Sequence, residues 1–334
     1  MGHFENHKQC SLSFPSRSTL KLRLLSHVIF KYRNQNILVM NKRLLFVFCA
    51  LLLLAVPDGS AKNRKNRRMP SQETIDRTHD SILSEGMHLY YHERIAWIST
   101  DQLGEFNPEY NDVGGYFTTE SNDTLHTIYF SQDRSRCVFE YWMCSSTFQT
   151  DYDTASRPLS LLEQAEAERT KLLQNLTVNA VKDSLSGFPQ SDFGCNLDFI
   201  RIDEEITRSY FTMSAKNSGV VPFGNDFSCD FDNNNHLVAI HRYHRSFIPL
   251  NWNKEDAAPK SLYLSHTPDN PYMTPTEVCL FLLYAQPAGI ESLFVLSTAL
   301  DSVIIFHPGQ RIVTIKRSVL EKIDKDQEKR HGKK

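Results

Sequence analysis

Two long helical patterns, separated by short extended runs, constrain the fold of this chain more than any other feature of its sequence. From Ser71 to about Tyr90, apolar residues recur at helical spacing, and acidic Glu73 stands in the first turn. Pro158 opens a second helical pattern that reaches about Leu185. The segments between and after them are rich in aromatic and β-branched residues and are separated by turn residues, which is typical of strands. The sequence therefore predicts an α+β protein.

We expect two modules in the part of the chain that follows the N-terminal segment. Residues 71–155 combine the first helix with a small antiparallel sheet. Residues 158–325 form a mixed module that contains the second helix, a hairpin near 226–243, a helix over Pro275–Tyr284 and several further strands. A short basic tail follows at 326–334.

The N-terminal segment is typical of a targeting signal. An apolar run of 13 residues at 44–56 follows Lys42 and Arg43 and ends near small residues up to Ala61. A transmembrane helix needs about 20 apolar residues, so this run indicates a secretory signal peptide at 40–61. We expect translation to start at Met40, which makes residues 1–39 a mis-assigned or disordered extension. The basic residues just after Ala61 favour an alternative, a signal segment that stays uncleaved and anchors the protein.

Charge and cysteine content exclude some classes of function. The chain holds 37 Lys+Arg and 39 Asp+Glu, a net charge of -2. Removal of residues 1–61, which hold 8 Lys+Arg and 2 Asp+Glu, takes the net charge to -8, so we expect no nucleic-acid partner. No CxxC spacing supports a zinc ribbon or a redox site. Five cysteines remain after residue 61, an odd number that leaves at least one unpaired, and their pairing stays open: Cys137, Cys144, Cys195, Cys229 and Cys279.

One stretch, residues 264–277, carries residue types that suit metal chemistry. His266 is followed by Thr274 eight residues later and by Glu277 eleven residues later. Imidazole and carboxylate groups are zinc ligands. The same residues also have a purely local interpretation, because Thr274, Pro275 and Glu277 match a helix capping box with proline at its first position. The sequence favours the helix cap, with metal binding as the alternative.

This spacing resembles the signature of the JAMM (MPN/JAB) metallopeptidases. In that family two histidines and an aspartate hold Zn²⁺, and a serine assists. Here His266 stands at the second histidine position, Thr274 at the serine position and Glu277 at the aspartate position. The resemblance implies that His266 and Glu277 bind the metal and that Thr274 stabilises the oxyanion. It also implies an upstream general base, for which Glu204 or Glu205 is the nearest match in order.

Departures from the family pattern weaken the catalytic interpretation. Leu264 occupies the first histidine position, and Thr267 replaces the usual proline. Leucine cannot bind a metal, so zinc should bind poorly and no cofactor is expected, zinc being the cofactor of the catalytic alternative. The resemblance covers residues 264–277 by motif and about 195–320 by the order of elements.

A second histidine group lies on the predicted hairpin and its exit, at His236, His241 and His244. On a regular strand His241 and His244 point to opposite faces, so they do not converge as ligands. We interpret them as ordinary strand and loop histidines. The alternative is that one of them replaces the missing metal ligand.

We therefore expect an exported bacterial envelope protein whose degenerate JAMM-like module binds a peptide or another envelope protein without catalysis. Leu264 favours binding over hydrolysis. One alternative is a zinc-dependent peptidase or isopeptidase that uses His266 and Glu277, and another is a structural envelope component. We expect the protein to be periplasmic or secreted, with membrane contact only through an uncleaved signal segment.

Overall fold

Helices and fifteen strands make up the computed structural model, which describes residues 69–185, 192–252 and 258–323. The predicted extension at 1–39, the predicted signal peptide at 40–61 and the predicted basic tail at 326–334 lie outside the described residues. The named helices are α1 (Gln72–Phe106), α2 (Leu161–Val181) and α3 (Pro275–Leu280). A last helical segment covers 317–323.

The first sheet follows α1 and is antiparallel throughout. Its strands are β1 (Val113–Ser121), β2 (Thr124–Ser131), β3 (Arg136–Cys144), β4 (Thr150–Asp153) and β5 (Arg157–Pro158). The order is β1-β2-β3-β4, and β5 pairs with β3. The predicted sheet after the first helix is thus present, and Asn122 forms the β1–β2 turn at a positive φ of 55°, which asparagine tolerates.

Six strands follow α2 in two antiparallel sheets. They are β6 (Phe193–Arg201), β7 (Thr207–Ala215), β8 (Val220–Gly224), β9 (Phe227–Phe231), β10 (Leu237–Arg242) and β11 (Phe247–Asn251). One sheet has the order β10-β9-β7-β6, and β8 pairs with β11 in the other. The β9–β10 pair is the predicted hairpin.

The last sheet contains the start of the 264–277 stretch, whose residue types suit metal chemistry. Its strands are β12 (Ser261–His266), β13 (Ser292–Ser297), β14 (Ser302–Phe306) and β15 (Val313–Lys316). Strands β12 and β13 are parallel, and the chain between them runs through α3, as a parallel pair requires. The other pairs are antiparallel. Helices and mostly antiparallel sheets together confirm the α+β fold.

Helix α1 joins the parts of the fold. It continues past Gly86, and this glycine lies so close to α3 that a Cβ atom on it would be 2.6 Å from Cβ of Val278. Helix α1 also contacts β2, β3 and β6, so it touches elements of both predicted modules. The described residues, all from Met69 onward, cluster as one compact unit. No helix in the described ranges combines the length and the apolar character needed to cross a membrane.

A pair of buried carboxyl groups lies where α1 meets β6. Glu93 of α1 and Asp198 of β6 are each 6% exposed, and each carboxyl affects the pKa of the other. Asn196 donates to Glu93 at 2.7 Å, and Thr212 donates to it at 3.2 Å. Burial raises the pKa of both carboxyls, and the charge of Glu93 raises the pKa of Asp198 further. The pair therefore holds at least one proton well above the ordinary range of carboxylic acids.

Asp198→Asn should reduce the loss of stability that accompanies rising pH. Because the native pKa values are raised, the folded protein binds more protons than the unfolded chain above about pH 4, and its stability falls as pH rises toward the native values. One such proton changes the free energy of unfolding by at most about 1.4 kcal/mol per pH unit. Urea unfolding of both proteins from pH 5 to 8 measures it, and the exposed Glu105→Gln on α1 is the control. Parallel profiles for wild type and Asp198→Asn would contradict the shared proton.

Candidate metal centre

Three buried side chains from different elements meet at one end of the last sheet. His266 is the final residue of β12, Glu277 lies in the first turn of α3, and His244 follows the end of β10. Their exposed fractions are 4%, 0% and 7%. The end of β12, the segment after β10 and the first turn of α3 thus enclose two imidazoles and one carboxylate in the core.

The distances among these groups suit a metal ion. Nε2 of His266 lies 2.8 Å from Oε1 of Glu277, and Nε2 of His244 lies 3.3 Å from the same oxygen. One ligand atom from each of the three residues lies within 4.8 Å of the other two. Metal–ligand bonds of about 2.1 Å in a tetrahedron place neighbouring ligand atoms about 3.4 Å apart. Small side-chain adjustments therefore suffice to coordinate one ion.

The far nitrogen of each imidazole is held by an acceptor. Nδ1 of His244 donates to the carboxylate of Asp226 at 2.8 Å, and Nδ1 of His266 donates to the carbonyl oxygen of Tyr272 at 2.7 Å. We assign the Nδ1 protons from these acceptors, which can only accept. This leaves both Nε2 atoms facing the shared centre, the arrangement by which metal-binding histidines are usually oriented.

One of these atoms is held only by an ion pair. Nε2 of His244 is buried, lies 3.3 Å from Oε1 of Glu277, and makes no hydrogen bond of good geometry to the described residues. A metal–nitrogen bond is one way to satisfy such a buried polar atom. The two Nε2 atoms and the carboxylate oxygen thus meet at a position that suits a cation.

Glu277 has two roles, one for each carboxylate oxygen. Its Oε2 accepts the backbone N–H of Thr274 at 2.8 Å, while Oγ1 of Thr274 accepts the backbone N–H of Glu277 at 3.1 Å. This is the predicted capping box, which is confirmed. The other oxygen, Oε1, faces the two imidazoles. The helix cap and the metal site were alternatives in the sequence, whereas the folded chain makes them compatible.

The electrostatics keep the centre charged when no metal is bound. Burial alone would raise the pKa of Glu277, but the imidazoles of His266 and His244 outweigh it and hold that pKa well below the ordinary range. Burial would lower the pKa of His244, but Asp226 and then Glu277 outweigh it and raise that pKa. The carboxylate is thus ionised and ready to bind a cation.

Two threonine hydroxyls form hydrogen bonds next to the three groups of the centre. The hydroxyl of Thr276 donates to Asp226, which in turn orients His244. The hydroxyl of Thr274 contacts that of Thr276 at 2.9 Å. Thr274, which the family resemblance assigns to oxyanion stabilisation, is 1% exposed and caps α3.

The predicted general base lies elsewhere. Glu204 and Glu205 are exposed on the turn between β6 and β7, and the carbonyl oxygen of Glu204 accepts hydrogen bonds from Arg201 and Asn233. Within the described ranges, the group that could hold a metal includes neither glutamate. The structure therefore brings together His266, Thr274 and Glu277 but neither Glu204 nor Glu205.

Strand β12 contributes a single imidazole to this cluster, because Leu264 stands where the family pattern has a histidine. Leu264 lies on the same inward face of β12 as His266 and packs in the core at 7% exposure. His244 supplies the second imidazole instead. The sequence did not assign His244 to this cluster, because alternation of side chains along a strand placed it on the face opposite His241. Strand β10 ends at Arg242, so His244 lies in the bend that follows the strand, where this alternation no longer applies. Asp226 and the carbonyl of Tyr272 carried no distinguishing signal in the sequence.

Comparison with models of protein families, with curated proteins and with solved structures finds no match to this chain. The resemblance to the JAMM metallopeptidases consequently rests on the spacing of His266, Thr274 and Glu277.

Proposed function

We propose that this chain is a metal-binding protein in which His244, His266 and Glu277 hold one zinc ion in a degenerate JAMM-like module. The observation that carries the proposal is the convergence of Nε2 of His244 and Nε2 of His266 on Oε1 of the buried, ionised Glu277. Two imidazole nitrogens and one carboxylate oxygen form a donor set that zinc uses in proteins. When bound, the ion links the bend after β10, the end of β12 and the first turn of α3.

We further propose that the centre is structural rather than catalytic. Its three ligands are at most 7% exposed, and the hydroxyl of Thr274 is committed to capping α3. A hydrolytic zinc site needs access for substrate and a base for the water. Glu204 and Glu205 lie on an exposed turn and make their described contacts with other residues. These features favour a zinc-stabilised binding module over a peptidase.

A zinc-dependent peptidase or isopeptidase is the second candidate. It is favoured by the ligand count, because three protein ligands leave the fourth position of a tetrahedral ion to water. Zinc-dependent cleavage of an isopeptide-linked substrate, lost in His266→Ala, would decide for this candidate.

The proposed partner is an extended peptide or another envelope protein. Among the described strands β10 pairs only with β9, so it is an edge strand. Leu237, Val238 and Ile240 of β10 are exposed by 43%, 60% and 48%. Exposed apolar edge strands bind extended peptides by adding a strand to the sheet. The expected site of action is the periplasm or the exterior, and this expectation is supported by the signal-like layout at 40–61.

Metal content measured by mass spectrometry tests the proposed centre. We expect about one zinc ion per wild-type chain and almost none in His244→Ala, because removal of one of three ligands leaves a carboxylate and a single imidazole. The matched control is His241→Ala, a hairpin histidine whose side chain is 51% exposed and lies 3.7 Å from Asp230. It should keep the ion. Metal-free wild-type protein after refolding with zinc, or equal zinc in both variants, would contradict the proposal.

A further inference from the structure

A cavity of about 470 Å³ lies against the two-stranded sheet of β8 and β11. Phe247, Pro249 and Asn251 line it from β11, and as alternate residues of one strand their side chains share a face. Val220 of β8 stands opposite Asn251, and Trp252 follows directly after β11. The start of β6 and the loop between β7 and β8 complete the lining, so the cavity includes no residue of the candidate metal centre.

The wall of this cavity is fixed by contacts within the protein. The rings of Phe193 and Phe247 meet edge to face with their centroids 4.7 Å apart, and both pack in a hydrophobic core that includes residues of α2. The backbone N–H of Trp252 donates to the carbonyl oxygen of Gly219 at 3.0 Å, which ties the end of β11 to the loop between β7 and β8. Small-molecule sites are usually preformed cavities of about 300–1,000 Å³, because a fixed wall loses little entropy when a ligand binds. The size and the fixed wall therefore suit a small molecule.

The polar part of the lining is exposed to solvent. It consists of Asp192, Asn217, Ser218 and Asn251. These side chains make no hydrogen bond to the rest of the described chain, so their polar atoms are available to a ligand. A carboxylate accepts hydrogen bonds, while carboxamides and hydroxyls both donate and accept them. Among the described residues no Lys, Arg or His lines the cavity, so the lining does not offset the charge of an anion. This chemistry favours a neutral ligand with several hydroxyl groups.

We propose that this cavity binds a neutral sugar in its pyranose form. A pyranose ring has C–H groups on its faces and hydroxyl groups around its rim, so it combines apolar and polar surface as the lining does. Its C–H face packs on the apolar groups of Phe247, Pro249 and Trp252, where aromatic side chains offer a large contact area. Its hydroxyls donate to Asp192 and exchange hydrogen bonds with Asn251, and a hydrogen bond to a charged carboxylate is stronger than one to a neutral acceptor.

Two other classes of ligand use only part of this lining. An organic cation pairs with Asp192 and with the aromatic rings, but it forms no hydrogen bonds with the two asparagines and Ser218. A proline-rich peptide packs on aromatic rings and leaves the polar side chains unpaired. A sugar engages both the apolar and the polar side chains. The sugar site shares no residue with the zinc centre and stands without it.

Ligand-observed NMR of the full chain with the methyl pyranosides of glucose, galactose and mannose tests the site. At least one of these glycosides should bind saturably at one site per chain. Asp192→Ala and Asn251→Ala should each weaken binding by about tenfold or more, and both change exposed side chains, so the fold should persist. Trp252→Ala should abolish binding, whereas Trp252→Phe keeps an aromatic ring and should retain it.

Trp97→Ala is the matched control, because Trp97 lies on α1, is 46% exposed and does not line the cavity. It should bind the glycoside like wild type, and circular dichroism of each variant verifies that the fold is intact. The proposal is overturned if none of the three glycosides binds to wild type, or if Asp192→Ala and Asn251→Ala bind like wild type. It is also overturned if tetramethylammonium or a decaproline peptide binds the cavity more tightly than every glycoside.

Discussion

Glu277→Gln is expected to abolish stoichiometric zinc binding and to lower the free energy of unfolding of the zinc-loaded protein by about 3–5 kcal/mol, the cost of breaking a buried charge cluster. The carboxylate is fully buried, and its Oε1 faces Nε2 of both His244 and His266. Glutamine has nearly the same shape, and its amide oxygen can still accept the N–H of Thr274. It brings no negative charge to the imidazoles, so the ion loses its anionic ligand while the helix cap is retained.

Thr274→Ala is the matched comparison because it damages only the cap. Loss of the hydroxyl that accepts the N–H of Glu277 should cost about 0.5–2 kcal/mol. Unfolding of both variants with and without a chelator separates the two roles of Glu277. The loss in Glu277→Gln should shrink when the chelator also strips wild type, whereas the loss in Thr274→Ala should stay the same. A chelator-independent loss in Glu277→Gln that is smaller than the loss in Thr274→Ala would mean that Glu277 acts only as a cap.

The residues of the candidate centre differ in how well the sequence predicts them. His266, Thr274 and Glu277 lie within one strand–loop–helix segment, so local spacing fixes their proximity, and the capping box follows from residue types alone. His244 and Asp226 reach the centre from the β9–β10 hairpin, and only tertiary packing brings that hairpin beside α3. A histidine in a bend has no periodicity to interpret, which is why its position was open in the sequence.

In the fold, too, elements with local sequence signals are predicted and elements without them are not. Helix α1 begins where Ser71 caps it, and the β9–β10 hairpin lies where its polar turn predicts, because both signals are local. Strand β8 was not predicted because it contains Pro222, which weakens a strand signal. In the folded chain Pro222 stands opposite Pro249 in a sheet of two strands, where proline is tolerated at an edge. Helix α2 begins after Ser160 rather than at Pro158, since Ser160 and Glu163 form its capping box.

Gly224→Ala is the other substitution with a large expected effect, a loss of about 2–5 kcal/mol in the free energy of unfolding. Gly224 ends β8 at a φ of 83°, a left-handed conformation that costs other residues about 1–2 kcal/mol. A Cβ atom there would lie 2.0 Å from the carbonyl oxygen of Ser246. That oxygen cannot easily withdraw, because it accepts the N–H of Asn225 at 3.2 Å. Overpacking against backbone adds about 1–3 kcal/mol.

The effect of Gly224→Ala should also reach the metal centre, because Asp226 and His244 each lie two residues from the two backbones that would be forced apart. Gly309→Ala is the matched control, since Gly309 has a similar φ of 74° but nothing within 4 Å of the added Cβ atom. The control should lose only the conformational cost of about 1–2 kcal/mol and keep its zinc. Chemical unfolding and zinc content of both variants measure the difference. A loss in Gly224→Ala no larger than that in Gly309→Ala would show that the β8–β11 pair can open without disturbing Asp226 and His244.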